Sequence, residues 1–146
     1  MPSEITSLRI RHYHPSDYPT LLEWWDDHAC DAMDQSMIPR SSIVVCQKIG
    51  ELVEPVAFAC LFPCNNNHVA FVHGLTVRPG MGMADTIKVL KVLNDGLDFM
   101  AQCSGHTLLI ASCEGERVTR GATMIGFEPV GDLVQTVARA VNLEQV

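Results

Sequence analysis

Basic residues are scarce in this chain. Ten Lys and Arg stand against seventeen Asp and Glu in 146 residues, which gives a formal net charge of −7 at pH 7. A protein with this balance repels a phosphate backbone unless its few cations cluster on one face, and the sequence shows no such cluster. We therefore expect no nucleic-acid partner.

Long apolar runs are absent as well. No stretch approaches the roughly 20 apolar residues that a membrane-spanning helix needs, and the opening MPSEITSLRIRHYHPSD contains no apolar signal core. We therefore expect a soluble, cytoplasmic protein that does not enter a membrane. With 146 residues, 47% of them hydrophobic, the chain suffices for one filled core and is too short for two ordinary domains. Residues 1–146 are predicted to form a single domain.

The six cysteines form no C-x-x-C pair. Most of them lie in apolar stretches, which favours reduced, mostly buried thiols over disulfides. Four potential metal ligands are close together in the sequence, namely Cys60, Cys64, His68 and His73. Their spacing fits no common zinc pattern, and alternate residues of a strand point to opposite faces of its sheet. We therefore expect no metal site.

The spacing of apolar and turn residues predicts the order of secondary structure. The predicted strands are residues 7–13, 43–49, 53–62, 68–77, 107–113 and 127–137, and the predicted helices start between Pro15 and Pro19, at 84–102 and at 116–125. Residues 28–41 fit a short helix or an ordered loop. The last segment is ambiguous, because Leu133, Val137 and Val141 also fit helix spacing, and the strand 127–137 is the favoured interpretation. Turn residues should join three successive strands as an antiparallel meander, whereas the helix 84–102 should make 68–77 and 107–113 a parallel pair. The predicted fold class is α/β (α+β), with a mixed, mostly antiparallel central sheet flanked by helices.

Two of these elements have an expected buried side. In the strand 7–13, alternation places Leu8, Ile10 and His12 on one face. In the first helix, the apolar stripe consists of Tyr18, Leu21, Leu22 and Trp25, with Trp24 beside it.

A strand, a glycine-rich turn and a helix follow one another in residues 68–93, HVAFVHGLTVRPGMGMADTIKVLKVL. Pro79 should end the strand, and Gly80 and Gly82 allow the backbone to turn tightly and to approach a ligand. The unpaired N–H groups and the positive dipole end of the helix then suit an anion, so the sequence predicts a phosphate-bearing ligand. The alternative is a tight turn that needs glycine for backbone reasons and binds nothing.

Three segments resemble the GNAT superfamily of N-acetyltransferases, which use acetyl-coenzyme A: RHYHPSDYPTLL at 11–22, LTVRPGMGMA at 75–84 and IGFEPVG at 125–131. The second segment is similar to the diphosphate-binding loop of that family through Val77, Pro79, Gly82 and Ala84, with a shortened stretch after the proline. Arg78 is the residue nearest to the loop's usual basic position. The resemblance implies a GNAT-like fold, acetyl-coenzyme A as co-substrate, and an amine acceptor that is a small molecule or a protein.

The resemblance also places the cofactor along the end of the central strand and the following loop. The implied cofactor contacts are Leu75, Thr76, Val77, Arg78, Gly80, Met81, Gly82, Met83, Ala84, Asp85 and Thr86.

Acetyl transfer to an amine requires a neutral amine, a polarised thioester carbonyl and a proton for the departing thiolate. An alkyl ammonium is mostly protonated at neutral pH, so a positioned base or a water chain is needed. His73 is the candidate base, because some relatives have a histidine at the matching place of an H-x-L-x-V run; the alternative is a core histidine bonded to backbone. Ser112, Cys113 and Glu114 are candidate acids at the end of the parallel strand, although each could equally cap that strand. The tyrosine that relatives often use is replaced by Ala122.

The acceptor side in relatives is lined by the segment that contains Trp24, Trp25, Asp27 and His28. Acidic residues beside indoles would suit a cationic amine. The alternative is a solvated acidic face behind a core Trp25.

Two other functions stay open. The chain could be a catalytically inactive GNAT-fold protein that acts through protein contacts, because its loop is shortened and the usual tyrosine is missing. It could also bind another acyl-coenzyme A or a nucleotide.

The C-terminal segment suggests an oligomer. Few residues follow Phe127, so a final strand would leave an uncovered edge beside apolar side chains. Pairing with a second copy would cover that edge, and we therefore expect a homodimer with residues 130–141 at its interface.

Overall fold

The structure is a computed structural model that describes residues 7–111 and 115–128. Its elements are, in chain order, β1 (Leu8–His12), α1 (Tyr18–Asp27), β2 (Ile43–Ile49), β3 (Leu52–Pro63), β4 (Val69–Val77), α2 (Met83–Cys103), β5 (Leu108–Ala111) and α3 (Gly115–Met124). Contacts divide the chain into two compact units, Met1–Ala111 and Ser112–Val146. The single domain expected from chain length stays a prediction.

The first unit contains a five-stranded sheet in which the strands lie in sequence order. β1 to β4 pair antiparallel, and β4 pairs with β5 in parallel over Val69–Val72 and Leu108–Ala111. The tight hairpin between β2 and β3 turns at Gly50, whose φ is +60°. The parallel pair follows from α2, because parallel neighbours need a crossover connection. The predicted mixed, mostly antiparallel sheet flanked by helices is confirmed.

The two long helices of this unit cover opposite faces of the sheet. α1 contributes Leu21, Trp24 and Trp25 to a buried cluster. The other members of this cluster lie on β2 and β3 and are Val44, Cys46, Phe58 and Cys60. α2 approaches Ile43, because a Cβ added to Gly96 would lie 2.9 Å from the Ile43 Cδ1 atom. Since Ile43 and Val44 are consecutive in β2, their side chains point to opposite faces.

The structure corrects the expected buried sides of α1 and β1. α1 buries Trp24, whereas Leu22 is 39% exposed. β1 is the outer strand of the described sheet, so Ile10 keeps 40% of its surface in contact with solvent and His12 is exposed. Periodicity alone could not show how far α2 reaches across this edge.

The cysteines of the described residues are all free. Cys46 and Cys60 are buried, whereas Cys30 and Cys103 are exposed. The prediction that most thiols are buried is therefore wrong for the described cysteines. The exposed pair lie at the ends of helices, where the local apolar pattern stops.

The described part of the second unit is α3 and the residues after it. Gly126 has a φ of +101° and follows the end of the helix, as the sequence predicted. Phe127 and Glu128 belong to no strand. The rest of the predicted strand 127–137 and the predicted dimer interface at 130–141 lie outside the described residues.

None of the helices within residues 7–111 and 115–128 is long and apolar enough to cross a membrane.

An ion pair closes the turn before α1. Arg11 makes two hydrogen bonds to the carboxylate of Asp17, at 2.8 and 2.7 Å, and the His14 N–H donates to the same carboxylate at 2.9 Å. Burial raises the pKa of Asp17, but the bonds from Arg11 and His14 outweigh it and hold the pKa below its ordinary value. The turn is therefore stabilised by an ionised carboxylate that is itself almost buried.

We expect Asp17→Asn to lower the free energy of unfolding by about 2 kcal/mol at neutral pH, because it leaves Arg11 partly buried and without its anion. The contribution of Asp17 is complete above its ordinary pKa of 3.8 and is lost as the pH falls through the lowered folded-state value. Urea unfolding should therefore show a difference between wild type and variant that shrinks in acid. The exposed Asp98→Asn is the control, and an equal loss in both variants would contradict the assignment.

Candidate functional site

β4 contains a β-bulge close to its end. Thr76 pairs with Phe58 and His73 pairs with Cys60, so two residues, Gly74 and Leu75, stand opposite one residue of β3. Gly74 has a φ of +66°, a left-handed conformation that costs conformational energy in any residue with a Cβ atom. A bulge leaves a backbone group outside the regular ladder and bends the strand locally.

Side chains from α1 and the following loop hold this bulge. The Trp25 Nε1–H donates to Thr76 Oγ1 at 3.0 Å, and the Thr76 hydroxyl donates to the Gly74 carbonyl at 2.8 Å. Met33 covers Gly74, because a Cβ built there would lie 3.3 Å from the Met33 Cε atom. The Tyr18 hydroxyl donates to the Met33 carbonyl at 2.7 Å and fixes the loop on α1. The bulge is thus partly buried and is supported by α1 and the loop after it.

The carbonyl of Val77 points away from β3. The Arg78 N–H donates to the Val56 carbonyl at 2.8 Å. In a trans peptide the C=O and the following N–H point in opposite directions, so the Val77 carbonyl faces the other side of β4. On that side the described pairing with β5 ends at Val72. The Val77 carbonyl instead accepts a 2.7 Å hydrogen bond from His28 Nε2.

The loop after β4 leads directly into α2. Gly82 is the N-cap of α2, and its carbonyl accepts from both the N–H and the hydroxyl of Thr86, at 2.9 and 2.8 Å. Among the described residues, nothing lies within 4 Å of a Cβ built on Gly80 or Gly82, so these residues leave room there for a ligand. The first turn of α2 carries one acidic residue, Asp85.

Arg78, the cation nearest to the loop, lies 3.4 Å from the carboxylate of Glu54 on β3. Its charge is therefore already partly compensated before any anion binds at α2.

The structure places His73 at the surface of β4. His73 is therefore not a core histidine. Its role as the catalytic base stays a prediction. Cys60, directly opposite, is fully buried, and burial raises the pKa of its thiol to about 11. Its S–H points to the Met33 sulfur at 3.8 Å, so this cysteine is a packing residue. Within the described residues no group of three or more His, Cys, Asp and Glu could hold a metal ion.

Two of the residues predicted on the acceptor side contact predicted cofactor residues, Trp25 through Thr76 and His28 through Val77. Trp24 and Trp25 are 5% and 4% exposed and lie in the core, so neither indole offers a face to a cation. Asp27 and His28 are exposed at the end of α1. The candidate acids, Ser112, Cys113 and Glu114, lie outside the described residues.

Sequence reasoning missed Met33 and the Trp25–Thr76 bond. A glycine inside a strand is a known signal of a bulge, and Gly74 in HGLTV could have been interpreted in that way. No local signal relates Met33 to β4.

Comparison with known proteins supports the architecture. No family model and no curated protein matches the sequence. Among solved structures, a probable acetyltransferase superposes with a TM-score of 0.64 at 14% identity, covering 92% of this chain and 99% of its own. A GNAT-family acetyltransferase from Bacillus anthracis gives 0.62 at 16% identity, with 90% and 86% covered. AAC(6′)-Iy bound to a bisubstrate analogue, CoA-S-monomethyl-acetylneamine, gives 0.59 at 13% identity, with 92% and 100% covered.

The superposition with these neighbours extends over at least 90% of this chain. The chain has the fold of the GNAT acetyltransferases.

Proposed function

We propose that this protein transfers an acetyl group from acetyl-coenzyme A to an amine, either a small molecule or a protein amine. The observation that carries the proposal is the succession of a bulged β4, a proline, an open glycine turn and the N-terminus of α2 within this fold. A structural neighbour bound to a coenzyme A bisubstrate analogue supports the same cofactor.

The proposed donor would lie against the described residues of β4 and α2. Its extended arm would follow the edge of β4 between His73 and Val77, and its diphosphate would lie at Gly82 and the first N–H groups of α2. A backbone N–H at the bulge would polarise the thioester carbonyl, since a developing oxyanion is stabilised by fixed donors. When bound, acetyl-coenzyme A supplies the activated acyl group, and this chain orients it and removes the proton from the amine.

Calorimetric titration with acetyl-coenzyme A tests the proposal. We expect binding by the wild type and at least a tenfold loss in Gly82→Asp, because the new carboxylate would stand at the place of the diphosphate, where it costs about 1–2 kcal/mol or more. Aspartate is a favourable N-cap, so the variant should keep its thermal stability. Gly82→Asn is the control that adds a side chain without the charge.

The outcomes also separate the alternatives. No heat with acetyl-coenzyme A would refute the proposal. Binding without turnover of any amine would favour a catalytically inactive protein that acts through protein contacts. The ion pair between Arg78 and Glu54 favours this alternative, because the arginine is already engaged. Binding of another acyl-coenzyme A or of a nucleotide alone would favour the third function.

His73 is the proposed base. It is exposed on β4 next to the bulge, where it can approach an amine presented to the thioester. We expect His73→Ala to reduce turnover by about 10²-fold, the usual contribution of a general base, with the affinity for acetyl-coenzyme A unchanged. Steady-state kinetics with calorimetry measure both quantities. His68→Ala, an exposed histidine of the preceding turn, is the control, and full activity of His73→Ala would remove His73 from the mechanism.

A homodimer and a cytoplasmic location remain part of this proposal. The segment proposed for the dimer interface, 130–141, lies outside the described residues.

A further inference from the structure

His28 is fixed at the point where α1 ends. Its N–H donates to the Trp24 carbonyl at 2.9 Å, and Ala29, with a φ of +55°, turns the chain away from the helix. The Cys30 N–H then returns to the Trp25 carbonyl at 2.8 Å. The imidazole therefore extends to β4 from a backbone that is held on both sides of it.

The atom that His28 contacts belongs to the edge of β4 that an extended ligand would use. The Val77 carbonyl faces away from β3, and Arg78, the next residue, has its N–H engaged with Val56. A chain that adds to a strand edge bonds to the backbone groups that face it. A backbone carbonyl accepts hydrogen bonds and cannot donate, so the Nε2 atom of His28 carries the hydrogen. Beyond Val77 and Arg78 comes Pro79, which has no N–H to offer.

We infer that His28 and the acyl-donor arm compete for the Val77 carbonyl, so that His28 sets the affinity of this site for its donor. The inference rests on the proposed function, because the competing ligand is the amide-bearing arm of acetyl-coenzyme A. An amide N–H of that arm and the imidazole N–H approach the same oxygen from the same side of β4. A carbonyl oxygen can accept two bonds, but the ring, 2.7 Å from this oxygen, occupies the space that the arm would fill, so donor binding displaces the ring from Val77.

The competition has a measurable size. A hydrogen bond between neutral partners makes a modest net contribution, so its removal should tighten donor binding by about two- to tenfold. A purely structural His28 would behave differently. Its loss would loosen the contact between α1 and β4, and affinity would fall or stay the same.

The experiment compares the wild type, His28→Ala and His12→Ala by titration with acetyl-coenzyme A. His12 is an exposed histidine on β1 and is the matched control. We expect tighter binding in His28→Ala alone. In the wild type with ¹⁵N-labelled histidine, the His28 Nε2 resonance should shift on saturation with acetyl-coenzyme A, and this measurement decides the question even if the variant does not fold.

Unchanged or weaker binding in His28→Ala would overturn the inference and leave the proposed function intact, as would a His28 resonance that does not respond to bound donor. No binding by either protein would overturn both.

Discussion

Replacing Gly74 with valine should lower the free energy of unfolding by about 3 kcal/mol. The loss has three sources, which are the left-handed backbone, the β-branched side chain and the crowding of the site. Gly74 has a φ of +66°, and a Cβ there would meet Met33 Cε at 3.3 Å and Cys60 Sγ at 3.7 Å. For a chain of this length the melting temperature should fall by roughly 10 °C. Because the bulge is displaced, acetyl transfer should fall as well.

Gly50→Val is the matched control for the backbone term. Gly50 has a similar φ of +60°, but no atom of residues 7–111 and 115–128 lies within 4 Å of a Cβ built on it. We expect it to cost about 1–2 kcal/mol and to leave activity unchanged, because it lies in the hairpin between β2 and β3. Thermal unfolding of the two variants separates conformational strain from crowding. Equal destabilisation of both would show that the packing of Met33 on the bulge contributes nothing.

The second large effect is expected where α2 lies on the sheet. A Cβ on Gly96 would lie 2.8 Å from Ile10 Cδ1 and 2.9 Å from Ile43 Cδ1, so both isoleucine side chains would have to move to admit a larger residue. Gly96→Leu should therefore destabilise the protein by about 3 kcal/mol, although leucine is the better helix former by about 1 kcal/mol. Chemical denaturation measures this loss.

Two further variants test the cause. Lys91→Leu introduces the same side chain at an exposed position of α2 and should be nearly neutral. Ile10→Ala removes the atoms nearest to position 96, so we expect it to restore part of the stability of Gly96→Leu. No restoration in the double variant would place the strain elsewhere.

The order of elements could be predicted from the sequence because the signals are local. The helix pattern after Gly82, the turn at Gly50 and the stop at Gly126 each depend on a few neighbouring residues. The antiparallel meander and the parallel β4–β5 pair follow from the connections between them. The resemblance in the LTVRPGMGMA and IGFEPVG segments was sufficient to name the fold.

The sequence was less informative about which side chains share the site. Trp24 and Trp25 fit an acceptor-binding segment as well as a core, and only the packing of α1 on Phe58 and Cys60 decided for the core. Leu22 was expected to be buried and is exposed. The three- and four-residue spacing of the apolar residues fits the observed buried face of α1 almost as well as the predicted one, which differs by about one residue.

Three contacts that shape the candidate site join residues far apart in the chain. His28 meets Val77 across 49 positions, Trp25 meets Thr76 across 51, and Arg78 meets Glu54 across 24. The first two depend on the bulge at Gly74 and on where α1 ends above the sheet, and the third depends on the register of β3 with β4. The sequence by itself determined the elements, their order and the loop that could receive a phosphate, because these follow from neighbouring residues. The partners of His28, Thr76 and Arg78 were decided by the tertiary structure alone, since a shift of one residue in register turns a side chain to the opposite face.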